Sequence, residues 1–179
     1  HSMGGQLVGL MDNYDKVDRL ILIASSTGYW KDMSSPFKWL MPPLWFLLIP
    51  INIVIYGYAN AKQIGQGENL PKGVALQWRK WCINPNYFDD HFKNSNTKLF
   101  YDKFLIPIKS IQIDDDPIAN KITANKLVNY YKNAKIEIEN ITPPKMGVKK
   151  IGHTGFFSRK FKDTLWNKLI ADIDNRNLI

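Results

Sequence analysis

Cysteine is almost absent from this sequence. Cys82 is the single cysteine among 179 residues, so the chain cannot form an internal disulfide and has no CxxC pair of the kind that binds zinc. Disulfides are rare in reducing compartments, so this usage favours a cytoplasmic protein. No motif in the sequence implies a metal or an organic cofactor.

The sequence also lacks a concentrated charge of one sign. The 24 Lys and Arg residues outnumber the 16 Asp and Glu residues, which gives a net charge of +8. The basic residues are spread along the chain, and the densest stretches, such as Lys149-Lys150 and Arg159-Lys160, are short. Because nucleic-acid binding normally requires a basic stripe or a recognisable reader motif, we expect ordinary surface charge and no nucleic-acid partner.

Composition and length indicate an ordinary globular chain. Hydrophobic residues make up 45% and charged residues 22%, which excludes wholesale disorder and fibrous repeats. At roughly 100–200 residues per domain, the length accommodates one domain.

Helical and strand patterns alternate along the chain. An apolar helical pattern at Leu7, Leu10 and Met11 precedes a strand predicted at 17–24. Further strands are predicted at 109–113 and, half-exposed, at 134–141. The last helix is predicted at about 159–172, with Phe161, Leu165, Leu169 and Ile173 on one face. Alternating strands and helices are typical of an α/β fold with a parallel sheet.

The first residues resemble a nucleophile motif. His1-Ser2-Met3-Gly4 would be the last four residues of Gly-x-Ser-x-Gly, the strained turn that exposes a catalytic serine between a strand and a helix. Glycines on both sides of the serine let the backbone pass without Cβ clashes. We therefore predict Ser2 as the nucleophile and the backbone N–H of Met3 as one oxyanion-hole donor.

An acid and a histidine follow in the order that this chemistry requires. Asp114-Asp115-Asp116 comes directly after a predicted strand, and His153 lies between the last strand and the last helix. Alone, such an aspartate is usually a turn or a cap and such a histidine a surface residue; together they complete a Ser-Asp-His triad.

We select Asp116 as the acid because Pro117 disfavours the helical conformation for the residue before it. Asp116 can then reach across to His153 instead of capping the next helix. Asp114 would end the strand or begin the turn, and Asp115 would cap or stay solvated. His91 lies in a polar stretch without a predicted strand before it, so we interpret it as structural.

Four segments together carry a resemblance to a known family: residues 67–78, Trp81-Cys82, 115–119 and 151–157. They resemble a bacterial family of predicted α/β-hydrolases that is related to serine-aminopeptidase and lysophospholipase-like hydrolases. The resemblance implies the α/β-hydrolase fold and a Ser-Asp-His triad, but no substrate. Asp116-Pro117-Ile118-Ala119 also matches the family pattern around the acid.

A complete α/β-hydrolase has several strands before its nucleophile. We therefore expect this chain to be the carboxy-terminal part of a longer protein, with the second oxyanion donor outside it and with poor activity alone. We divide it into the elbow, helix and strand at 1–25, an inserted helical cap at 26–97, and the remaining core at 98–179.

The cap segment contains a long uncharged run at 39–61. Pro42, Pro43 and Pro50 divide this run, which favours cap helices over a helix that crosses or contacts a membrane. Peripheral membrane contact through an apolar cap is the alternative.

The expected function is hydrolysis of carboxylic esters, with lipid esters included. The alternatives are a peptidase, amidase or thioesterase with the same triad, or a catalytically inactive remnant that serves as an interaction module. The expected partner is a small ester or acyl substrate, and the oligomeric state is left open.

Overall fold

A computed structural model describes residues 1–64 and 67–174 of the chain. The chain divides into two compact units, one formed by His1–Thr27 with Lys98–Ile179 and the other by Gly28–Thr97. The predicted role of the middle segment as a cap stays a prediction.

The regular elements are short. The strands are β1 (Leu20–Ile23), β2 (Tyr58–Ala59), β3 (Leu70–Pro71), β4 (Ile108–Ile113) and β5 (Ile136–Ile141). The α-helices are α1 (Met3–Leu7), α2 (Met41–Pro43), α3 (Ile49–Tyr56), α4 (Lys72–Cys82), α5 (Asp89–Lys93), α6 (Lys121–Val128) and α7 (Asn167–Asp174). Single 3₁₀ turns are Val8–Leu10, Tyr14–Lys16, Trp30–Asp32, Phe37–Leu40, Ala61–Ile64, Tyr101–Lys103, Pro143–Met146, Gly155–Phe157 and Arg159–Phe161, and π-helical turns are Leu44–Leu48 and Lys162–Trp166.

The first unit is built on a parallel sheet in the order β1-β4-β5. In this register Ile111 of β4 pairs with Ile23 of β1 and with Glu139 of β5. The predicted α/β class with a parallel sheet is confirmed. Every residue of the central strand β4 is buried, whereas β5 is half-exposed as predicted.

The core of this unit lies at the carboxyl ends of its strands. Ile23, Ile113 and Ile141, which end β1, β4 and β5, pack with Ile151 and Phe156 from the loop that follows β5. Side chains of opposite ends of the chain are thereby fixed at one edge of the sheet, the edge where parallel-sheet proteins place their ligands.

The last helical region differs from the single helix predicted at 159–172. It begins as a 3₁₀ turn, passes through the π-helical turn Lys162–Trp166 and continues as α7. Phe161 and Leu165 are buried as predicted, but Ile173 is 58% exposed. The prediction that Ile173 shares this face was wrong, because each step of four residues drifts by about 40° around an α-helix and carries the last residue of the series away from the core.

In the second unit, Phe37–Tyr56 forms a continuous helical span. The prediction that Pro42, Pro43 and Pro50 divide this run was wrong. In the π-helical turn the carbonyl of Trp45 would accept from the N–H of residue 50, which a proline lacks. The Arg79 Nε–H donates to that carbonyl instead, so the helix continues past Pro50.

The two faces of this span differ in burial and not in polarity. Met41, Trp45 and Ile49 are buried, while Val54 is 85% and Ile55 65% exposed. The span is long and apolar enough to cross a membrane, and 17% of its apolar window is buried. An apolar helix of a soluble protein has the same length and composition, so the cap helix and the membrane-contacting helix both stay predictions.

Candidate active site

Ser2 occupies a strained turn immediately before α1. Its backbone has φ 51° and ψ −128°, a region that residues other than glycine rarely adopt. Its N–H donates to the Ile23 carbonyl at 3.2 Å. Because Ile23 ends β1, this bond places the serine at the carboxyl end of the parallel sheet.

Asp116 lies on the loop after β4 and is 1% exposed. Its Oδ1 accepts from the backbone N–H groups of Ile118 and Ala119 at 2.8 and 2.9 Å. A buried carboxylate is costly unless it is hydrogen-bonded, and these bonds also fix its rotamer. The helix that follows has its own cap, since the Asn120 side chain accepts from Ile122 and Thr123.

His153 connects the two. Its Nδ1 lies 2.7 Å from Asp116 Oδ2, and its Nε2 lies 2.8 Å from Ser2 Oγ. A carboxylate oxygen only accepts, so this network assigns the proton to Nδ1 and leaves Nε2 to accept the serine hydroxyl. The structure thus brings the predicted residues Ser2, Asp116 and His153 into one hydrogen-bonded chain.

Met3 is the first residue of α1. Its backbone N–H belongs to the first helical turn, where N–H groups have no acceptor within the helix. This N–H belongs to the residue that follows Ser2, and it lies at the N-terminal, positive end of the helix dipole.

The glycine that is sterically required after the serine is Gly5, and not Gly4 as the motif predicts. Within the described residues, a Cβ on Gly4 would meet no atom within 4 Å. A Cβ on Gly5 would lie 2.3 Å from Ser25 Oγ and 2.9 Å from Leu22 Cδ2. Gly5, and not the motif glycine Gly4, allows α1 to approach β1.

Asp115 is not the solvated or capping residue that the sequence predicts. Its Oδ2 accepts from the Ile151 N–H at 2.9 Å and its Oδ1 accepts from the Gly152 N–H at 3.0 Å. The expectation failed because it considered only neighbours in sequence, whereas the partners lie 36 and 37 residues further along the chain. Asp114 is exposed.

His1 is a second contact that the sequence argument missed. Its Nε2 lies 3.1 Å from the His153 carbonyl oxygen, and its ring meets the edge of Phe157 at 4.9 Å between centroids. Its position next to Ser2 in the sequence was the one signal that could have predicted this contact.

His91 lies in the second unit. Its Nε2 is 3.1 Å from the Nε2 of Gln77, and its ring packs against the Trp81 ring.

Comparison with known proteins gives similarity at the level of structure. No protein-family model and no curated protein matches the chain. One similar solved structure is a lipase-esterase related protein from Clostridium acetobutylicum, with 15% identity and a TM-score of 0.41, covering 98% of this chain and 63% of that one. Another is an alpha/beta fold family hydrolase from Bacillus anthracis, with 13% identity and a TM-score of 0.44, covering 99% and 65%.

A third similar structure is described as an enzyme that degrades N-acyl homoserine lactones, with 14% identity and a TM-score of 0.40, covering 96% of this chain and 64% of that one. The solved structures that the chain resembles have the α/β-hydrolase fold. The chain spans less than two thirds of the length of each of them.

Proposed function

We propose that the protein is a serine hydrolase that cleaves carboxylic esters through an acyl-enzyme. The observation that carries this proposal is the continuous chain of hydrogen bonds from Ser2 Oγ through His153 to the buried Asp116. A serine hydroxyl is a weak nucleophile unless a base accepts its proton, and a base in turn needs an orienting group. Both are present within hydrogen-bonding distance.

The residues have distinct roles in the proposed reaction. His153 Nε2 takes the Ser2 proton as Oγ attacks the acyl carbonyl, and it later gives that proton to the leaving alkoxide. Asp116 holds the imidazole in the tautomer with Nδ1 protonated and stabilises the imidazolium. The Met3 N–H would supply one hydrogen bond to the oxyanion. Water then attacks the acyl carbonyl while His153 Nε2 takes a proton from it, and His153 gives this proton to Ser2 Oγ as the acyl–Oγ bond breaks and the carboxylic acid leaves.

Esters are the proposed substrates because an alkoxide leaves the tetrahedral intermediate more easily than the anion of an amine does, so an ester depends less on protonation of the leaving group. Lipid esters are included in this class. The same residues would also serve an amidase or a thioesterase, so the assay compares acyl groups of one length attached as a nitrophenyl ester, an anilide and a thioester.

The nucleophile is tested with a fluorophosphonate probe on the full-length protein. We expect labelling of Ser2, identified by peptide mass, and none in the Ser2→Ala variant. Ser158 is a suitable control, since it lies in the same unit and Ser158→Ala should label like the wild type. Labelling that persists in Ser2→Ala would refute the assignment of the nucleophile, and a wild-type protein that neither labels nor cleaves any of the three substrates would refute the hydrolase proposal.

A further inference from the structure

The loop that carries His153 is held by a carboxylate outside the proposed triad. Asp115 uses both of its oxygens, one on the Ile151 N–H and one on the Gly152 N–H, which are the two residues before His153. Charge-assisted hydrogen bonds of this kind are about twice as strong as neutral ones. Asp115 therefore binds the backbone of the His153 loop, while its neighbour Asp116 binds the ring.

The loop needs such a contact because its glycines give the backbone many alternative conformations. Gly152 has φ +66°, in the left-handed region, and the loop also contains Gly147 at φ +67°. Glycines have the largest conformational freedom to lose on ordering. Ile151 is anchored in the core, but a buried side chain fixes the peptide plane that follows it less directly than a hydrogen bond does.

The origin of the contact lies in a tight turn. The Asp114 N–H donates to the Ile141 carbonyl and the Asp116 N–H to the Ile113 carbonyl, at 3.0 Å each. These bonds tie the aspartate loop to the ends of β4 and β5. Asp115 then reaches the backbone of residues 151 and 152, and Asp116 reaches the ring of His153, the next residue.

We propose that Asp115 is a positioning residue for His153: its carboxylate fixes the loop so that the imidazole meets Ser2 and Asp116 together. This inference rests on the proposed function, since it assigns His153 the role of base. A misplacement of about 1 Å at a reacting group is enough to cost about 10²-fold in rate. Because Asp115 hydrogen-bonds to the backbone of the loop, its removal should lower kcat and leave KM unchanged.

The test uses Asp115→Ala and Asp115→Asn in the full-length protein, with Asp114→Ala as the matched control on the same turn. We expect kcat for a nitrophenyl ester to fall about 10²-fold in Asp115→Ala. Asp115→Asn retains one acceptor oxygen and turns the other position into a donor, so its loss should be intermediate. Asp114→Ala should behave like the wild type.

A second readout needs no substrate. The proton between His153 Nδ1 and Asp116 should give a far-downfield proton resonance in the wild type, and it should broaden or disappear in Asp115→Ala because the ring is no longer held. Circular dichroism at the same temperature shows that the variant is folded, and if Asp115→Ala is not folded, Asp115→Asn provides the same two measurements.

Two results would overturn the proposal: a folded variant that keeps both the resonance and the wild-type kcat, or an equal loss in Asp114→Ala. Failure of the proposed function is a separate outcome. A wild-type protein without hydrolase activity would remove the catalytic readout, while the resonance and its dependence on Asp115 would still decide whether this carboxylate positions the ring.

Discussion

The Asp116 carboxylate divides its two oxygens between its own loop and the imidazole. Oδ1 is occupied by two backbone N–H groups and Oδ2 by His153 Nδ1. Because the residue is 1% exposed, water cannot replace any of these partners. An uncharged substitute must therefore keep the same geometry with a poorer acceptor.

We predict that Asp116→Asn nearly abolishes turnover. If its oxygen stays on the loop, its amide nitrogen faces Nδ1 and favours the tautomer in which Nε2 carries the proton, so Nε2 no longer accepts from Ser2. Loss of the acid in such a triad costs about 10⁴-fold in kcat. The measurement is hydrolysis of a nitrophenyl ester by the full-length protein, with active sites counted by fluorophosphonate titration.

Asp114→Asn is the control for this prediction, since Asp114 is exposed on the same loop and should keep its activity. Asp115→Asn should lose less than Asp116→Asn, because it acts on the loop and not on the ring. A larger loss in Asp115→Asn than in Asp116→Asn would show that the acid is Asp115 and that the assignment to Asp116 is wrong.

At the scale of residues, chain order and local context were sufficient to select Ser2, Asp116 and His153 as candidates. The acid could be chosen among three adjacent aspartates because Asp116-Pro117-Ile118-Ala119 matches the family pattern and because Pro117 disfavours the helical conformation for the residue before it. The contacts of Asp115 and His1 could not be predicted in the same way. They depend on how close two loops approach in space, and neither hydropathy nor spacing encodes that distance.

At the scale of elements, the approach of α1 to β1 depends on one missing side chain. A Cβ on Gly5 would overlap Ser25, which is 2% exposed and cannot move into solvent. The same Cβ would also lie 2.9 Å from Leu22 Cδ2, on a residue that is 1% exposed. Relief of this overlap would push α1, and Ser2 with it, away from the end of β1.

We predict that Gly5→Ala lowers the free energy of unfolding by about 1–3 kcal/mol, the usual cost of overpacking a filled site. Its activity should fall as well, because Ser2 moves relative to His153. Gly4→Ala is matched in chemistry and position, and since its Cβ meets no atom within 4 Å among the described residues, it should be neutral or stabilising. Chemical denaturation of the three proteins measures both effects, and equal stability of Gly5→Ala and wild type would contradict the packing argument.

Sequence patterns predicted the elements of the sheet better than the details of the helices. Strands at 109–113 and 134–141 were found at Ile108–Ile113 and Ile136–Ile141, because burial and alternation mark a strand locally. The π-helical turns at Leu44–Leu48 and Lys162–Trp166 were not predicted. The first of these turns has a distant partner that the local sequence does not reveal, since Arg79 donates to the Trp45 carbonyl.

At the scale of the whole molecule, the first unit joins distant parts of the chain through one ionic cluster. Lys109 on the central strand has a side chain that is 10% exposed. Its Nζ lies 2.7 Å from Asp172 on α7 and 3.0 and 3.3 Å from Glu139 and Glu137 on β5. The strand pattern at 109–113 did not predict that Lys109 would be buried in the central strand. The three carboxylates compensate the buried charge of Lys109.

We predict that Lys109→Met destabilises the protein by about 3 kcal/mol, because it removes the buried cation that compensates the largely buried carboxylate of Asp172. Lys168→Met is the control: Lys168 also pairs with Glu139, but its side chain is 55% exposed, and an exposed pair contributes about 0–1 kcal/mol. Urea denaturation at neutral pH measures both variants. Equal stability of the two variants would contradict the assignment of the cluster to the core.

The pH dependence of this difference is a further part of the same prediction. Burial opposes the charged form of Lys109, but the hydrogen bonds with Asp172 and Glu139 outweigh it and raise the pKa of Lys109 above its ordinary value of 10.5. A raised pKa in the folded state stabilises the protein fully below the unfolded-state pKa, and this contribution is lost as pH rises through the folded-state value. The stability difference between wild type and Lys109→Met should therefore be constant from neutral pH to about pH 10 and shrink above it. Burial also raises the pKa of Tyr131, which weakens both proteins at high pH alike, so the difference between them and not the wild-type curve isolates the contribution of Lys109.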